Sequence, residues 1–269
     1  MITNSFPQAL TIAGSDSDGS AGVQADLHAF FSRHVYGSSV LIAAVAGNSY
    51  GIHASHSFPL DFIDAEFKAL AEDFQIKAAK TGMLSDGSLI KNVVENYQRY
   101  HFGPLIVDPV ITTKHGAKLL EDAAINTLRE KLLPLALVAT PNYSEAQVIV
   151  DFEFHDQADV AKAAAQIQKL GVKNVVIKGS HVYQGDQETV SDYVLLADGS
   201  HYLLSEKYVD TTHINGTGDT FSAIITAEIA KNKSVKDAIA IAKTATYEAI
   251  SNQIAVGHQF GPINHWAIK

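Results

Sequence analysis

The alternation of short β-rich runs with longer helical patterns constrains the fold of this chain more than any other feature. Apolar runs predict strands, and the stretches between them carry apolar residues at helical spacing. This alternation is typical of βαβ units on a parallel sheet. The predicted strands are Ala9–Ala13, Ser39–Ala46, Ala78–Thr81, Leu105–Val110, Leu135–Thr140, Asn174–Lys178, Val190–Leu196 and Ser200–Ser205. The predicted helices are Ala21–Arg33, Pro59–Asp73, Asp86–Tyr100, Ala123–Lys131, Tyr143–Val150, Asp156–Leu170, Thr217–Lys231 and Val235–Asn252.

The composition predicts one globular α/β domain over residues 1–269, since 46% of the residues are hydrophobic and no repeat or linker is evident. A net charge of -9 argues against a nucleic-acid partner. No segment approaches the roughly 20 apolar residues of a membrane span, and the first residues do not resemble a signal peptide. The absence of cysteine excludes disulfides and Cys nucleophiles. We therefore expect a cytoplasmic protein without a membrane partner.

Small or polar residues follow several of the predicted strands. In a parallel sheet the carboxyl ends of the strands line one edge, where ligands bind. We therefore expect residues distant in sequence to converge on one crevice. The clusters are Gly14-Ser15-Asp16, Gly47-Asn48, Thr81-Gly82-Met83, Asp108-Pro109, Pro141-Asn142 and Lys178-Gly179.

The segment HINGTGDTFSA, residues 213–223, places a Gly-Thr-Gly turn before an acidic residue at the start of a predicted helix. Gly216 and Gly218 allow a ligand to approach the main chain, and free N–H groups at a helix start attract anions. Asp219 then stands beside an anion site, which suits proton abstraction coupled to phosphate stabilisation. The alternative is an ordinary capped helix.

Three further polar residues have both a functional and a structural interpretation. Asn142 and Glu145, in ATPNYSEA, either face the crevice, with Glu145 holding a hydrated Mg²⁺, or form a capping box. Asp108 ends an apolar strand, where a carboxylate is costly unless it is paired or functional. The spacing alone leaves both interpretations open.

Lys178 ends the apolar strand VVIKG beside Gly179, from where an ammonium group can reach a phosphate; a solvated strand end is the alternative. Lys114 in TTKHG is a weaker candidate of the same kind. The chain has neither a P-loop motif nor a complete GxGxxG, and its 12 histidines show no trusted metal spacing.

The ordered set LTIAGSDSDGSAGVQADL, KTGML, VDPV, TPNYSEA, VVIKG and NGTGDTFSA closely resembles the ribokinase-like vitamin kinases. Within them it is most similar to the branch of hydroxymethylpyrimidine/phosphomethylpyrimidine kinases and their pyridoxal-kinase relatives. The likeness runs from about Leu10 to Pro262. It implies a three-layer α/β fold with a central, mostly parallel sheet flanked by helices. It also implies transfer of the ATP γ-phosphate to a hydroxymethyl group on a small heteroaromatic ring.

The resemblance also implies roles for individual residues. Asp219 would take the alcohol proton, while the amides of Gly216, Thr217, Gly218 and Asp219 would hold the phosphoryl charge. Asp108 and Glu145 would arrange Mg²⁺; Asn142, Lys178 and Gly179 would contact ATP together with the glycine turn. The substrate pocket is expected to comprise Asp16, Gly47, Met83 and Val110. A homodimer is expected, and a monovalent-cation requirement stays open.

Two departures from the pyrimidine-kinase pattern bear on the substrate. Asp219 stands where those enzymes commonly have cysteine, as GTGC, and Gly47 replaces the glutamine of VAQN. Loss of a side-chain amide removes a polar discriminator. Both departures favour pyridoxal, pyridoxine or pyridoxamine as the substrate. The alternatives are a hydroxymethylpyrimidine/phosphomethylpyrimidine kinase, a sugar kinase, and a catalytically silent binding protein that kept the fold.

Overall fold

The computed structural model describes residues 4–112, 119–179 and 188–269; the candidate Lys114 lies outside this part of the chain. The strands are β1 Gln8–Asp16, β2 Tyr36–Asn48, β3 Gly51–Ser57, β4 Ala78–Thr81, β5 Leu105–Val107, β6 Ala136–Ala139, β7 Asn174–Ile177, β8 Thr189–Leu195 and β9 His201–Lys207. The α-helices are α1 Gly22–Ser32, α2 Leu60–Asp73, α3 Gly87–Tyr100, α4 Asp122–Thr127, α5 Tyr143–Val150, α6 Gln157–Lys169, α7 Thr217–Ala230 and α8 Val235–Ser251.

The strands form a nine-stranded sheet in the order β3-β2-β1-β4-β5-β6-β7-β8-β9. Pairings from β2 through β7 are parallel, whereas β3, β8 and β9 add antiparallel pairings at the two edges. Helices α2 to α6 pack their apolar residues on one face of the sheet, and α1, α7 and α8 pack on the other. The predicted three-layer α/β fold is therefore confirmed.

The structure differs from the predicted elements at one sheet edge and in the middle of the chain. Strand β3 was not predicted, because all seven of its residues are exposed and carry no apolar alternation. It forms by pairing with the end of β2. Strand β5 ends three residues early, where Asp108-Pro109 interrupts it, and α4 continues as a π-helical turn, Leu128–Leu132.

The sheet order positions the site. Strand β1 pairs with β2 on one side and with β4 on the other. The order of the strands therefore changes direction beside β1. Ligands of such sheets bind outside the carboxyl ends of the strands at this point. None of the helices in the described ranges combines the length and apolar character needed to cross a membrane.

Candidate active site

A cavity of about 520 Å³ opens at the carboxyl edge of the sheet. Residues from the ends of β1, β2, β4, β5, β6 and β7 meet there with the start of α7, as the parallel-sheet argument predicts. The sequence-predicted site residues all line this cavity: Asp16, Gly47, Met83, Asp108, Val110, Asn142, Glu145, Lys178, Gly179, Gly216, Thr217, Gly218 and Asp219.

The glycine turn brings the first amides of α7 to the cavity. Gly216 is the N-cap of α7 with φ of 80°, a left-handed conformation that favours glycine. A Cβ atom there would also collide with the carbonyl oxygen of Ser20. Within the described part of the chain, no backbone carbonyl accepts a hydrogen bond from the amides of Gly218 and Asp219. With the positive end of the helix dipole behind them, they suit an anion.

A charge cluster lies beside this turn, since a Cβ atom at Gly218 would lie 3.3 Å from Lys178 Nζ. The Lys178 Nζ atom donates to Asp108 Oδ1 at 2.9 Å, and Thr140 Oγ1 donates to the same oxygen at 3.1 Å. Ser222 in α7 donates to the other Asp108 oxygen at 3.4 Å. Burial acts to lower the pKa of Lys178, but the nearby carboxylates of Asp108 and Glu145 raise it by more, so the ammonium group stays charged.

Asn142 and Glu145 form a capping box and line the cavity as well. The Asn142 side chain accepts from the Glu145 amide at 2.9 Å, while Glu145 Oε2 accepts from the Asn142 amide at 2.8 Å. The other Glu145 oxygen accepts from the Ile111 amide at 3.2 Å. Burial and nearby Asp108 raise the pKa of Glu145 to about 7 against the opposing effect of Lys178. The capping box and a place in the crevice therefore occur together, while Mg²⁺ binding by Glu145 stays a prediction.

Asp219 lies in the first turn of α7 and lines the same cavity as the glycine turn and Asp108. Burial and the charge of Asp108 raise its pKa, while Lys80 and Lys178 act in the opposite direction. A carboxyl with a raised pKa is a stronger base once ionised than an exposed one, which suits proton abstraction near neutral pH.

Asp16, Gly47, Met83 and Val110, the predicted substrate residues, line the same cavity. Burial and neighbouring Asp18 raise the pKa of Asp16 to about 6. The Met83 methyl group would lie 2.6 Å from a Cβ atom at Gly14, so glycine leaves room for the thioether. Thioether and valine side chains offer apolar contact to a ring.

Sequence reasoning missed two buried ion pairs. Lys243 in α8 contacts Asp192 in β8 at 2.9 Å, and both line the cavity beside Gly179, whose amide donates to Asp192. Lys80 in β4 contacts Asp26 in α1 at 2.6 Å, and neither side chain is exposed. A lysine inside the apolar strand AAKT was the available signal for the second pair.

Two carboxylates, Asp108 and Glu145, are the metal-ligand candidates at the cavity. No group of three or more His, Cys, Asp or Glu side chains suited to a metal ion occurs in the ranges that the structure describes. Mg²⁺ does not need such a group, because it retains waters and takes few carboxylates together with nucleotide phosphates.

The fold and the cavity define a ribokinase-like small-molecule kinase. Residues 16–264 match the phosphomethylpyrimidine kinase family, and the chain belongs to it. It is 45% identical to a hydroxymethylpyrimidine/phosphomethylpyrimidine kinase of Haemophilus influenzae over 97% of both chains. The Bacillus subtilis enzyme of that name is 40% identical, over 98% of this chain and 97% of the relative.

The solved structure of an ADP complex of Bacillus subtilis pyridoxal kinase is also similar to this chain. Its TM-score is 0.89 at 34% identity, and the likeness covers 98% of both chains. The chain is therefore an ATP-dependent small-molecule kinase of vitamin metabolism.

The expectation of a pyridoxal kinase is wrong. Relatives at 45% and 40% identity are hydroxymethylpyrimidine/phosphomethylpyrimidine kinases, whereas the pyridoxal kinase structure is 34% identical. The structure gives Gly47 a local explanation. It lies at a register shift between β2 and β3, where a Cβ atom would approach the Gly51 carbonyl oxygen to 3.1 Å. This tight contact gives glycine a local role in backbone packing, so the absence of the glutamine does not by itself identify the substrate ring.

Proposed function

We propose that this chain transfers the ATP γ-phosphate to the alcohol of hydroxymethylpyrimidine and then phosphorylates the resulting phosphomethylpyrimidine. The observation that carries the proposal is the meeting of Asp219, the glycine turn and the Asp108–Lys178 pair in one cavity, in a chain so similar to kinases of this name. Phosphoryl transfer needs positioning and charge stabilisation more than covalent chemistry. These residues supply both. We take residues 1–269 as one kinase domain.

In the first phosphorylation Asp219 takes the alcohol proton. The Gly218 and Asp219 amides at the start of α7, presented by the Gly216-Thr217 turn, donate to the oxygens of the transferred phosphoryl group. Lys178 contacts the same phosphates as a point charge. Asn142 and Gly179 line the part of the cavity that holds the nucleotide. Because Asp108 and Glu145 are buried and Lys178 is largely buried, these charges act more strongly than they would in solvent.

The charges around the glycine turn fit one divalent cation. In this part of the lining Asp108, Glu145 and Asp219 bring three carboxylates, and Lys178 brings one ammonium group. Asp108 and Glu145 would hold Mg²⁺, directly or through water. Bound there, Mg²⁺ neutralises phosphate charge. Titrating Mg²⁺ with the wild type and with Asp108→Asn tests this, since the variant should require more Mg²⁺ for half-maximal rate. Repeating the titration in potassium and tetramethylammonium salts tests the monovalent-cation requirement.

Asp16, Gly47, Met83 and Val110 form the substrate end of the cavity in this proposal. The ring lies against the Met83 thioether and Val110, and its hydroxymethyl group points toward Asp219. In this proposal Asp16, which lines the cavity at the end of β1, accepts a hydrogen bond from a ring amino group. Its raised pKa predicts stronger ring binding above about pH 6, where the carboxylate is charged.

A homodimer and a cytoplasmic location stay predictions from the resemblance and the sequence. The physical support for a dimer is the β2–β3 hairpin, where Tyr50 and Ile52 are exposed along with the whole of edge strand β3. An open edge strand pairs readily with another chain. Light scattering of the purified protein tests this, and a mass near 28.9 kDa would contradict the dimer.

The proposed substrate is tested by measuring ADP release with ATP, Mg²⁺ and each of hydroxymethylpyrimidine, phosphomethylpyrimidine and pyridoxal. We expect kcat/KM for hydroxymethylpyrimidine to exceed that for pyridoxal at least about tenfold, a difference of about 1.4 kcal/mol in transition-state binding. Phosphorus NMR should show a monophosphate followed by a diphosphate. A preference for pyridoxal, or no second phosphorylation, would overturn the proposal.

A further inference from the structure

A buried ion pair lies beneath the glycine turn and has no role in the proposed chemistry above. Lys80 Nζ donates to Asp26 Oδ1 at 2.6 Å, and both side chains are 0% exposed. The other Asp26 oxygen accepts from Thr11 Oγ1 at 2.5 Å. Neither Lys80 nor Asp26 belongs to the cavity lining found among the described residues.

Stability alone is a weak reason for this pair. Burying two charges costs more than an apolar pair of similar size unless the geometry compensates, so such pairs are often neutral or unfavourable. In the sheet, Lys80 pairs in register with Thr11 on one side and Ile106 on the other, positions where an apolar residue would pack. A lysine held there suggests a use for its charge.

The pair is close to Asp219 through the packing of α1 on α7. A Cβ atom at Gly216 would lie 3.4 Å from the methyl group of Ala25, the neighbour of Asp26. The Lys80 ammonium interacts favourably with Asp219 as well as with Asp26, and Asp26 and Asp219 repel each other. The charged groups that interact with Asp219 are therefore Lys80 from β4, Asp26 from α1, and Asp108 and Lys178 after β5 and β7.

We propose that Lys80, held in place by Asp26, is a positioning residue whose buried ammonium group keeps the Asp219 carboxylate charged and fixed for proton abstraction. The inference rests on the proposed role of Asp219. Without Lys80, Asp219 would face the carboxylates of Asp26 and Asp108 with only Lys178 to balance them. Since Lys80 does not line the cavity, it acts through Asp219 and not on the substrate.

The test compares Lys80→Met, Asp26→Asn and the double variant with the wild type, using hydroxymethylpyrimidine and ATP. We expect Lys80→Met to lower kcat about tenfold or more and to move the acidic limb of the kcat/KM profile up by about one pH unit. Asp26→Asn should lower kcat, because Lys80 loses the partner that holds it, but it should not move that limb up, because it also removes a like charge from Asp219. The double variant should recover part of the kcat lost in Lys80→Met. The affinity for Mg²⁺·ADP should stay within about twofold in all three.

The matched control is Arg33→Met. Arg33, directly after α1, pairs with Glu228 of α7 at 2.8 Å, so this change also removes an ion pair between α1 and α7. It should lower the unfolding temperature without moving the acidic limb. If Lys80→Met does not fold, Lys80→Arg and Asp26→Asn still test the inference, the first by retaining kcat within about threefold.

Three results would overturn the inference: an unchanged acidic limb in folded Lys80→Met, additive losses of kcat in the double variant, or a limb shift in Arg33→Met as well. Wild-type turnover of hydroxymethylpyrimidine is measured first. Its absence would refute the proposed function, whereas normal wild-type turnover with these three results would refute only the role of Lys80.

Discussion

At the scale of single residues, Asp219 distinguishes the two proposed phosphorylations. The first acceptor is an alcohol that must lose a proton, whereas the second is a phosphate oxygen that is already ionised near neutral pH. We therefore expect Asp219→Asn to lower kcat for hydroxymethylpyrimidine about 100-fold or more, and kcat for phosphomethylpyrimidine by much less. Steady-state kinetics with each acceptor measures both values. Equal losses with both acceptors would show that Asp219 is not the base.

Alanine should have different effects at the two glycines of the turn: a loss of stability at Gly216 and a loss of activity at Gly218. Gly216 has a positive φ, and a Cβ atom there would collide with Ser20, so Gly216→Ala should destabilise the protein by roughly 1–3 kcal/mol. Gly218 lies in the first turn of α7, where a Cβ atom would lie 3.3 Å from Lys178 Nζ. Gly218→Ala should leave the free energy of unfolding unchanged and lower kcat, because the added methyl group lies where the transferred phosphate is proposed to bind.

Urea unfolding and kcat, measured on both alanine variants, separate the two effects. Alanine is a better helix residue than glycine by up to about 1 kcal/mol, so Gly218→Ala serves as the folded comparison. A loss of stability of similar size in both variants would contradict this account of the turn.

At the scale of elements, the sequence predicts those strands and helices whose burial imposes a pattern. β4 and β7 are buried throughout, and their apolar runs reveal them. β3 is exposed throughout and forms only because β2 extends beyond the sheet to pair with it, an event of tertiary structure. The local sequence of β3 does not predict such pairing. The same limit applies to Gly47, whose bulge depends on β3.

The capping box of α5 links an element's stability to the site. Asn142→Ala should cost about 1 kcal/mol, the usual effect of losing an N-cap, and should free Glu145 from its fixed position. The matched control is Asp156→Ala, since Asp156 caps α6 by accepting from the Asp159 amide at 3.0 Å and does not line the cavity. Both variants should lose similar stability in urea unfolding, but Asn142→Ala alone should raise KM for Mg²⁺·ATP. A raised KM in both would contradict a local effect.

At the scale of the whole molecule, the site exists because a parallel sheet brings strand ends to one edge. That rule, applied to polar residues after apolar runs, places Asp16, Asp108, Asn142 and Lys178 in one cavity, and the structure agrees. It does not identify Lys80 or Asp26, whose side chains lie inside the protein beneath the edge. Partners inside a core depend on which helix covers which strand, and the sequence pattern leaves that undetermined.

Burial of charge in this cavity should also make the stability of the whole molecule depend on pH. The pKa of Glu145 is about 7 in the folded protein against 4.5 for an unburied glutamate. A raised pKa means that the folded state binds the extra proton, so its stabilising effect is complete below about pH 4.5 and is lost as pH rises through about 7. Asp26 and Asp219, whose pKa values are also raised by burial, act with the same sign.

We therefore expect the free energy of unfolding, measured without Mg²⁺ or nucleotide, to fall as pH rises from about 4.5 to about 7. Glu145→Gln, which cannot ionise, should flatten part of this slope, and urea unfolding at several pH values measures it. Adding Mg²⁺·ADP should stabilise the wild type more at the upper end of the window, because the charged carboxylate is the form that binds a cation. A slope that is unchanged in Glu145→Gln would show that this buried carboxyl does not link protonation to the stability of the fold.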